Sequence, residues 1–307
     1  MITRNTLPSI PERYPLACQW EITCRCNLRC VMCYTDCFNR PEKIREELTT
    51  TEIFRIMDEL AEAGCIELAL TGGEPLARSD FFDIYEHAKA GGFLVTLLTN
   101  GTLITEEIAD RLASLPPHHI EISLHGITER TFELVTQGNG SFARCMRAIG
   151  LLCDRKLPLL LKTTAMTVNS DEVLTIKRYV NGLQESGHRV GYKLGEKIRL
   201  TLDGSDAPGL LALSDEELEN LNRQDAELWT EACRNQTSEA TPCTSGMGRF
   251  HIDAYGQLQL CSGNRRRGYD LRHGSFKEGF YQYLPTFPCS RKAEQHVTLI
   301  QPSASHA

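Results

Sequence analysis

No apolar run in this 307-residue chain approaches the roughly 20 residues that a membrane span requires, so no membrane partner is expected. Met1 to Tyr14 carries prolines and charges where a secretory signal would carry an apolar stretch, and the expected compartment is the cytoplasm. An excess of positive charge is missing as well. The net charge is −7, which argues against a general nucleic-acid binder. The one basic run, Arg265-Arg266-Arg267, reads as a solvated loop. Internal repeats and low-complexity tracts are absent apart from a polar C-terminal tail. What remains is an ordinary globular composition, 41% hydrophobic and 24% charged, with length for one large core and a small appendage.

Cysteine is not scarce: there are 13. In a reducing compartment clustered cysteines read as metal ligands rather than disulfides. Cys26, Cys30 and Cys33 fall within eight residues, a spacing that lets one loop wrap one iron–sulfur cluster. Three thiolates on four irons leave one iron open to a small molecule. The loop alone is equally a zinc site, with Cys24 or Cys37 as fourth ligand. Cys65, Cys145 and Cys153 lie in strand or helix patterns and read as small buried hydrophobes.

Along the chain, apolar strands alternate with amphipathic helices. Strands are expected at Leu16–Thr23, Cys65–Leu70, Phe93–Leu98, Ile120–Leu124, Leu159–Met166 and roughly Lys197–Leu202. Helices are expected from Thr49 (a capping box with Glu52), Ser79, Thr105, Ser141, Asn169 (with Glu172) and Ser214 (with Glu217), the last running to about Cys233. Six alternating strands predict a parallel α/β sheet with right-handed crossovers, and since closure takes eight, an open (β/α)6 partial barrel. In such folds ligands sit at the C-terminal strand ends. The cysteine loop, Gly72-Gly73-Glu74, Thr99-Asn100 and Ser123 with His125 all fall there. Beyond a turn-rich break at Asp203–Pro208, Phe250–Leu260 alternates around Tyr255-Gly256 as a β-hairpin.

Cys26-x3-Cys30-x2-Cys33-Tyr34, followed by a strand ending in Gly72-Gly73-Glu74-Pro75, resembles the radical S-adenosylmethionine (SAM) superfamily. The resemblance implies a [4Fe–4S] cluster on Cys26, Cys30 and Cys33, with SAM on its open iron. One electron then splits SAM to a 5′-deoxyadenosyl radical that abstracts hydrogen from a substrate. It places Gly72, Gly73 and Glu74 at the SAM amino group, Tyr34 at the adenine and Ser123 at ribose or carboxylate. Lys162 is a candidate partner of the methionine carboxylate, or else a strand-edge lysine in solvent. His125 is a substrate contact or, more often for such a histidine, a packed turn residue.

Cys243-x12-Gly256-x4-Cys261 is similar to the opening of a SPASM or twitch domain, an appendage that carries auxiliary clusters. Only Cys289 follows, so at most one auxiliary cluster, on Cys243, Cys261 and Cys289, is expected; an incomplete remnant is the alternative. The domain is expected to stop short relative to the family. This divides the chain into a barrel (1–203), a helical linker (204–235) and an incomplete SPASM-like region (236–307).

The function implied is hydrogen abstraction on a peptide or protein, with a flavodoxin or ferredoxin as electron donor and a separate leader-binding protein as partner. Small-molecule work such as tetrapyrrole oxidation or decarboxylation is the alternative within enzymes. A non-catalytic electron carrier and a zinc-stabilised structural protein are the alternatives outside them.

Overall fold

The computed structural model describes residues 13–35, 41–199, 201–202, 205–238, 243 and 245–289. Six parallel strands form its centre: β1 (Ala17–Thr23), β2 (Glu67–Gly72), β3 (Leu94–Thr99), β4 (His119–Ser123), β5 (Leu159–Thr164) and β6 (Val190–Gly195). Between and after them run α1 (Pro41–Arg45), α2 (Thr50–Glu62), α3 (Phe81–Ala90), α4 (Glu106–Ser114), α5 (Glu129–Thr136), α6 (Ser141–Asp154), α7 (Ser170–Glu185), α8 (Asp215–Arg223) and α9 (Ala226–Ser238). Period-two alternation sorts each strand. Cys18, Trp20, Ile22, Leu68, Leu70, Val95, Leu97, Ile120, Ile122, Leu159 and Leu161 are buried in one core with helix residues such as Ile53, Met57, Ile84, Leu112, Ile149 and Ile176. The opposite face presents Gln19, Glu21, Thr71, Thr96, Glu121, Ser123, Lys162 and Thr164, most of them half-exposed. An apolar outer face and a polar inner one suit a scaffold that holds a ligand inside.

The hairpin does not stand apart from this sheet. Strand β7 (Arg249–Ile252) pairs in parallel with β1, Ala17 opposite Arg249 and Trp20 opposite Ile252. Strands β8 (Gln257–Gln259) and β9 (Tyr269–Asp270) follow antiparallel. The result is one nine-stranded sheet in the order β6-β5-β4-β3-β2-β1-β7-β8-β9. Flat, its seven strand spacings from β6 to β8 would span about 34 Å. Yet Arg199, only four residues past β6, donates from Nη1 to Oγ of Ser262, three residues past β8, at 2.8 Å. The segments that leave β6 and β8 thus meet across the sheet, which suits a curled, open barrel better than a flat sheet.

Several local expectations change. The sixth strand is Val190–Gly195, not Lys197–Leu202. Val190, Tyr192 and Leu194 do alternate, but Gly191 and Gly195 are poor strand formers in so short a run, and pairing with β5 holds it. The later segment is irregular, and residue 200 lies outside the described residues. Helix α5 had no sequence expectation. Helix α3 begins after Asp80, whose side chain pairs with Arg78 rather than capping, so Ser79 is not its cap. At Asn169 there is no capping box. Its Oδ1 accepts from Met166 N, its Nδ2 donates to the carbonyls of His125 and Thr164, and Glu172 instead caps Ile127 and Thr128. The helix expected to run from Ser214 to Cys233 is two, α8 and α9, though Ser214 and Glu217 do form the box. This pair is docked: Leu221 and Leu228 pack on Ala165, Val173 and Leu194, and buried Lys177 of α7 donates to Glu227 at 2.6 Å. The chain before residue 13 and after residue 289 lies outside the described residues, as do residues 203 and 204 of the turn-rich break.

Candidate functional site

The cysteine loop leaves β1 at its C-terminal end and is tied down on three sides. Arg29 and Val31 donate their backbone N–H groups to Thr136 and Val135 at the end of α5, at 3.1 and 2.9 Å. Leu28 is buried, and a methyl group on Gly138 would come within 2.5 Å of it. Asn27 donates to Thr102 Oγ1 at 2.7 Å and accepts from Asn100 Nδ2 at 2.9 Å, which fixes the loop to the exit of β3. Cys26, Cys30 and Cys33 are all half-buried there. Burial, reinforced by charge on the neighbouring thiols, pushes Cys30 up to about 12; burial does the same to Cys26, to about 11. Metal binding at these sulfurs must therefore displace protons.

This donor set fits an iron–sulfur cluster. It is all sulfur, which suits such clusters. Among the described residues no group of three His, Cys, Asp or Glu is close enough to share a single ion, and a four-iron cube holds its thiolates further apart than one ion does. Cys24, the alternative fourth zinc ligand, faces elsewhere. Its Sγ donates to Glu47 Oε1 at 3.0 Å, and burial followed by Glu47 raises it to about 12. Glu47 is itself buried and also accepts from Cys24 N and Thr23 Oγ1, bracing the root of the loop. Cys37 lies outside the described residues.

The two glycines after β2 fit the base of that loop rather than open space. Gly73 N donates to Thr23 O at 3.0 Å and Glu74 N to Arg25 O at 2.7 Å. A Cβ on Gly72, whose φ is +145°, would lie 2.2 Å from Thr23 O. One on Gly73 would lie 2.3 Å from Arg25 O and 2.9 Å from Cys26 Cβ. Only glycine lets the two backbones touch. Glu74 is fully buried, and its carboxylate accepts from Leu76 N, Thr99 Oγ1 and Asn100 N at 3.1, 2.8 and 2.7 Å. Burial outweighs these bonds and raises its pKa to about 7. Glu74 thus braces the Gly-Gly turn against the end of β3.

Ser123 and Lys162 sit opposite each other in register at the ends of β4 and β5. Lys162 Nζ is paired across strands with Glu121 Oε1 at 3.0 Å, so it is not a lysine simply reaching into solvent. His125 is a packed turn residue: it is buried, and its Nδ1 accepts from Thr164 N at 3.1 Å. Burial, then the charge on Lys162, lowers its pKa to about 4. A histidine held neutral in the fold contributes stability that is present above the unfolded pKa near 6.5 and is lost as pH falls toward 4. The shift corresponds to about 3 kcal/mol. Buried Glu74 titrates with the opposite sign, so the test is a difference. In urea titrations at pH 7 and pH 5, His125→Asn, which keeps an acceptor for Thr164, should lose less stability on acidification than the parent. Parallel losses would remove His125 from the acid response.

One grouping, around Glu21, carried no sequence expectation. Glu21, facing inward from β1, is buried and bidentately bound by Arg265, with Nη1 to Oε2 at 2.7 Å and Nη2 to Oε1. The basic run is thus solvated only at Arg266 and Arg267, which are exposed. The Tyr34 ring lies 5.6 Å from the Arg265 guanidinium and 5.5 Å from that of Arg199. Burial, then Glu21, raises its hydroxyl to about 12. His251, opposite Gln19 in β7, is fully buried, and Asp253 is raised to about 6 by burial. A glutamate between Trp20 and Ile22 in a buried strand was the available signal that a cation must meet it.

Cys243, Cys261 and Cys289 are each half-buried. Asn264, bridged to Cys261, donates from Nδ2 to Pro288 O at 2.8 Å, which brings the Cys261 turn beside the segment bearing Cys289. Cys243 lies two residues before Ser245, which bridges to Arg249 at the start of β7.

Comparison with known proteins agrees with this geometry. A family model described as the Radical SAM superfamily matches residues 20–180, more than half of the chain. The AdoMet-dependent heme synthase of Methanosarcina barkeri is 35% identical over 159 residues, 52% of this chain and 45% of that protein. The PqqA peptide cyclase of Rhizobium meliloti is 32% identical over 171 residues, 56% of this chain and 44% of that protein. The chain thus spans less than half the length of these two curated relatives. Among solved structures, Streptococcus suis SuiB bound to S-adenosylmethionine shares the fold, with a TM-score of 0.70 over 89% of this chain and 67% of that one, at 14% identity.

Proposed function

The chain belongs to the radical SAM superfamily, and from that premise we propose that it is an enzyme that generates a radical from SAM to modify a peptide. The [4Fe–4S] cluster and SAM are the cofactors of this family, and Cys26, Cys30 and Cys33 would hold the cluster. Together, when bound, they supply a 5′-deoxyadenosyl radical able to take hydrogen from an unactivated carbon. The chain's own part is binding, orientation and exclusion of water. The three thiols fix the cluster. Gly72 and Gly73 seat the loop that carries them, and Glu74 ties that seat to β3. Ser123 and Lys162, on the neighbouring strands β4 and β5, and the backbone of Tyr34, beyond the cysteine loop, are what we assign to SAM. The observation that carries the reading is the seating of the three-thiol loop on the Gly-Gly turn at the C-terminal mouth of the sheet.

Similarity to a peptide cyclase supports a peptide as substrate. The second reading, a tetrapyrrole-type small molecule, rests on the equally extensive similarity to a heme synthase. A flavodoxin or ferredoxin as electron donor, a separate leader-binding protein, and one auxiliary cluster on Cys243, Cys261 and Cys289 complete the proposal. We further assign residues 1–203 to the barrel, 204–235 to the linking helices and 236–307 to the auxiliary region.

Anaerobic reconstitution with iron and sulfide, followed by assay for 5′-deoxyadenosine with candidate peptides encoded nearby, tests the function. A mass shift on the peptide, rather than on a porphyrin, separates the two substrates. Cys30→Ala should reduce SAM cleavage by more than the ~10–100-fold that loss of an outer-shell partner costs a metal site. Deoxyadenosine formed at the parental rate would disprove the ligand assignment.

A further inference from the structure

Two guanidinium groups, of Arg199 and Arg265, meet at the Tyr34 ring, and two further arginines follow Arg265 in the same turn. Arg265, Arg266 and Arg267 occupy the turn after β8, and Arg199 reaches that turn from the far edge, beyond β6. Tyr34, the residue after Cys33, lies between two of them, its ring centre 5.5 Å from Arg199 and 5.6 Å from Arg265. Only one of the four charges is matched: Glu21 binds Arg265 through both oxygens. Arg199 is exposed and donates one hydrogen bond to a neutral acceptor, Ser262 Oγ. Among the described residues no carboxylate pairs with Arg199, Arg266 or Arg267. In a chain of net charge −7, three uncompensated cations at one rim are a local reversal of the surface field.

The chemistry of the rim selects its ligand. A guanidinium offers a planar fork that matches a carboxylate with two parallel hydrogen bonds. The cation–π contact with Tyr34 and the bond to Ser262 restrain the Arg199 side chain before any ligand arrives, which lowers the ordering cost of binding. The Glu21–Arg265 pair makes the floor beneath it rigid and already neutral, so an incoming anion meets Arg199 rather than Arg265. Because Tyr34 adjoins a cysteine of the loop, an anion bound there is held next to the reactive centre.

We propose that Arg199, steadied on the Tyr34 ring and flanked by the Arg265–Arg267 turn, binds a carboxylate of the peptide substrate. The inference rests on the peptide reading given above. The carboxylate is either an acidic side chain or the C-terminus, and the two sources are separable by experiment.

The test uses the reconstituted full chain and three labelled octapeptides of otherwise identical Gly/Ser sequence. One carries a glutamate and an amidated C-terminus, one a glutamine and a free C-terminus, and one a glutamine and an amidated C-terminus. Affinity is read by fluorescence anisotropy. At least one acid peptide should bind about tenfold tighter than the neutral one, the size of a charge-assisted hydrogen bond, and whichever does so names the source. R199Q should bring that ratio close to one, and R199K, which keeps the charge without the fork, should restore part of it. Ser262→Ala, which removes the orienting bond, should lower the ratio without abolishing it. The proposal is overturned if acid and neutral peptides bind the parent alike, including if neither binds, or if the ratio survives in R199Q. Deoxyadenosine formation by the same parent preparation keeps the two levels apart. A parent that cleaves SAM but ignores the carboxylate removes only this site, whereas one that fails to cleave SAM removes the reading beneath it.

Discussion

Replacing Gly73 with valine should cost the protein its iron. The sequence suggests a milder outcome, in which a branched side chain beside the ligand weakens SAM binding more than it disturbs the cluster. The structure reverses that order. Even a Cβ at this position would stand 2.3 Å from Arg25 O and 2.9 Å from Cys26 Cβ, so the obstructed partner is the cysteine loop itself. Backbone cannot swing aside as a side chain can. To admit valine, the loop must lift from the turn and give up the bonds of Gly73 N to Thr23 O and Glu74 N to Arg25 O. Overpacking of this kind costs about 1–3 kcal/mol, and it falls on the geometry of one of the three ligands. Iron and sulfide analysis after anaerobic reconstitution should therefore give well under half of the parental content, with SAM cleavage lost in proportion. Gly150→Ala is the control, because a Cβ there meets nothing within 4 Å and the site is inside a helix. Parental iron in the Gly73→Val protein would show that the loop does not depend on that contact.

The second large effect is expected at Arg265. Removing one partner of a buried ion pair leaves the other charge without compensation, typically at a cost of about 3–5 kcal/mol. Arg265→Met leaves Glu21 in that position, buried in β1 beside His251, with no other cation in bonding contact among the described residues. Burial alone would lower the pKa of Arg265; Glu21 instead holds it well above the usual value. The damage should be local at first. The turn bearing Arg265 is bound to the barrel through this pair, so amide exchange in residues 245–289 should accelerate more than in β2 to β5. The double variant Glu21→Leu/Arg265→Met removes both charges and should recover most of the loss. A single variant as stable as the parent in guanidinium titration would mean that water reaches Glu21 readily and the pair is not structural.

The first five strands were readable because each carries apolar residues at alternate positions, bounded by turn residues. Strand β6 escaped although Val190, Tyr192 and Leu194 alternate in it, because glycines at 191 and 195 interrupt a short run and its pairing with β5 cannot be read locally. Capping signals were ambiguous for a related reason. Thr49 with Glu52 and Ser214 with Glu217 do form boxes, whereas Asn169 and Glu172 have the same spacing and bond elsewhere. Short-range spacing cannot say whether a distant backbone donor will compete for the same carboxylate. The same limit applies at the site. The cysteines and glycines were legible because their chemistry is local, while Arg265 looked like any surface arginine until the fold brought Glu21 beneath it. Glu47, which braces the loop from 23 residues beyond Cys24, gave no hint in the sequence at all.

The pairing of β7 with β1 also bears on how the chain comes to be made. Ala17 and Arg249 are neighbours in the sheet yet stand 232 positions apart (249 − 17) in the sequence. During synthesis the N-terminal strand can gain β2 early on one side, but its other edge waits until the residues near 249 have left the ribosome. For most of translation that edge offers bare N–H and C=O groups along a segment containing Cys18, Trp20 and Ile22, a template on which another nascent chain can add. Closure then requires a contact of very long sequence separation, which is slow to form. Yield in a cell should accordingly depend more on chaperone supply and on slow translation at low temperature than on the stability of the finished fold.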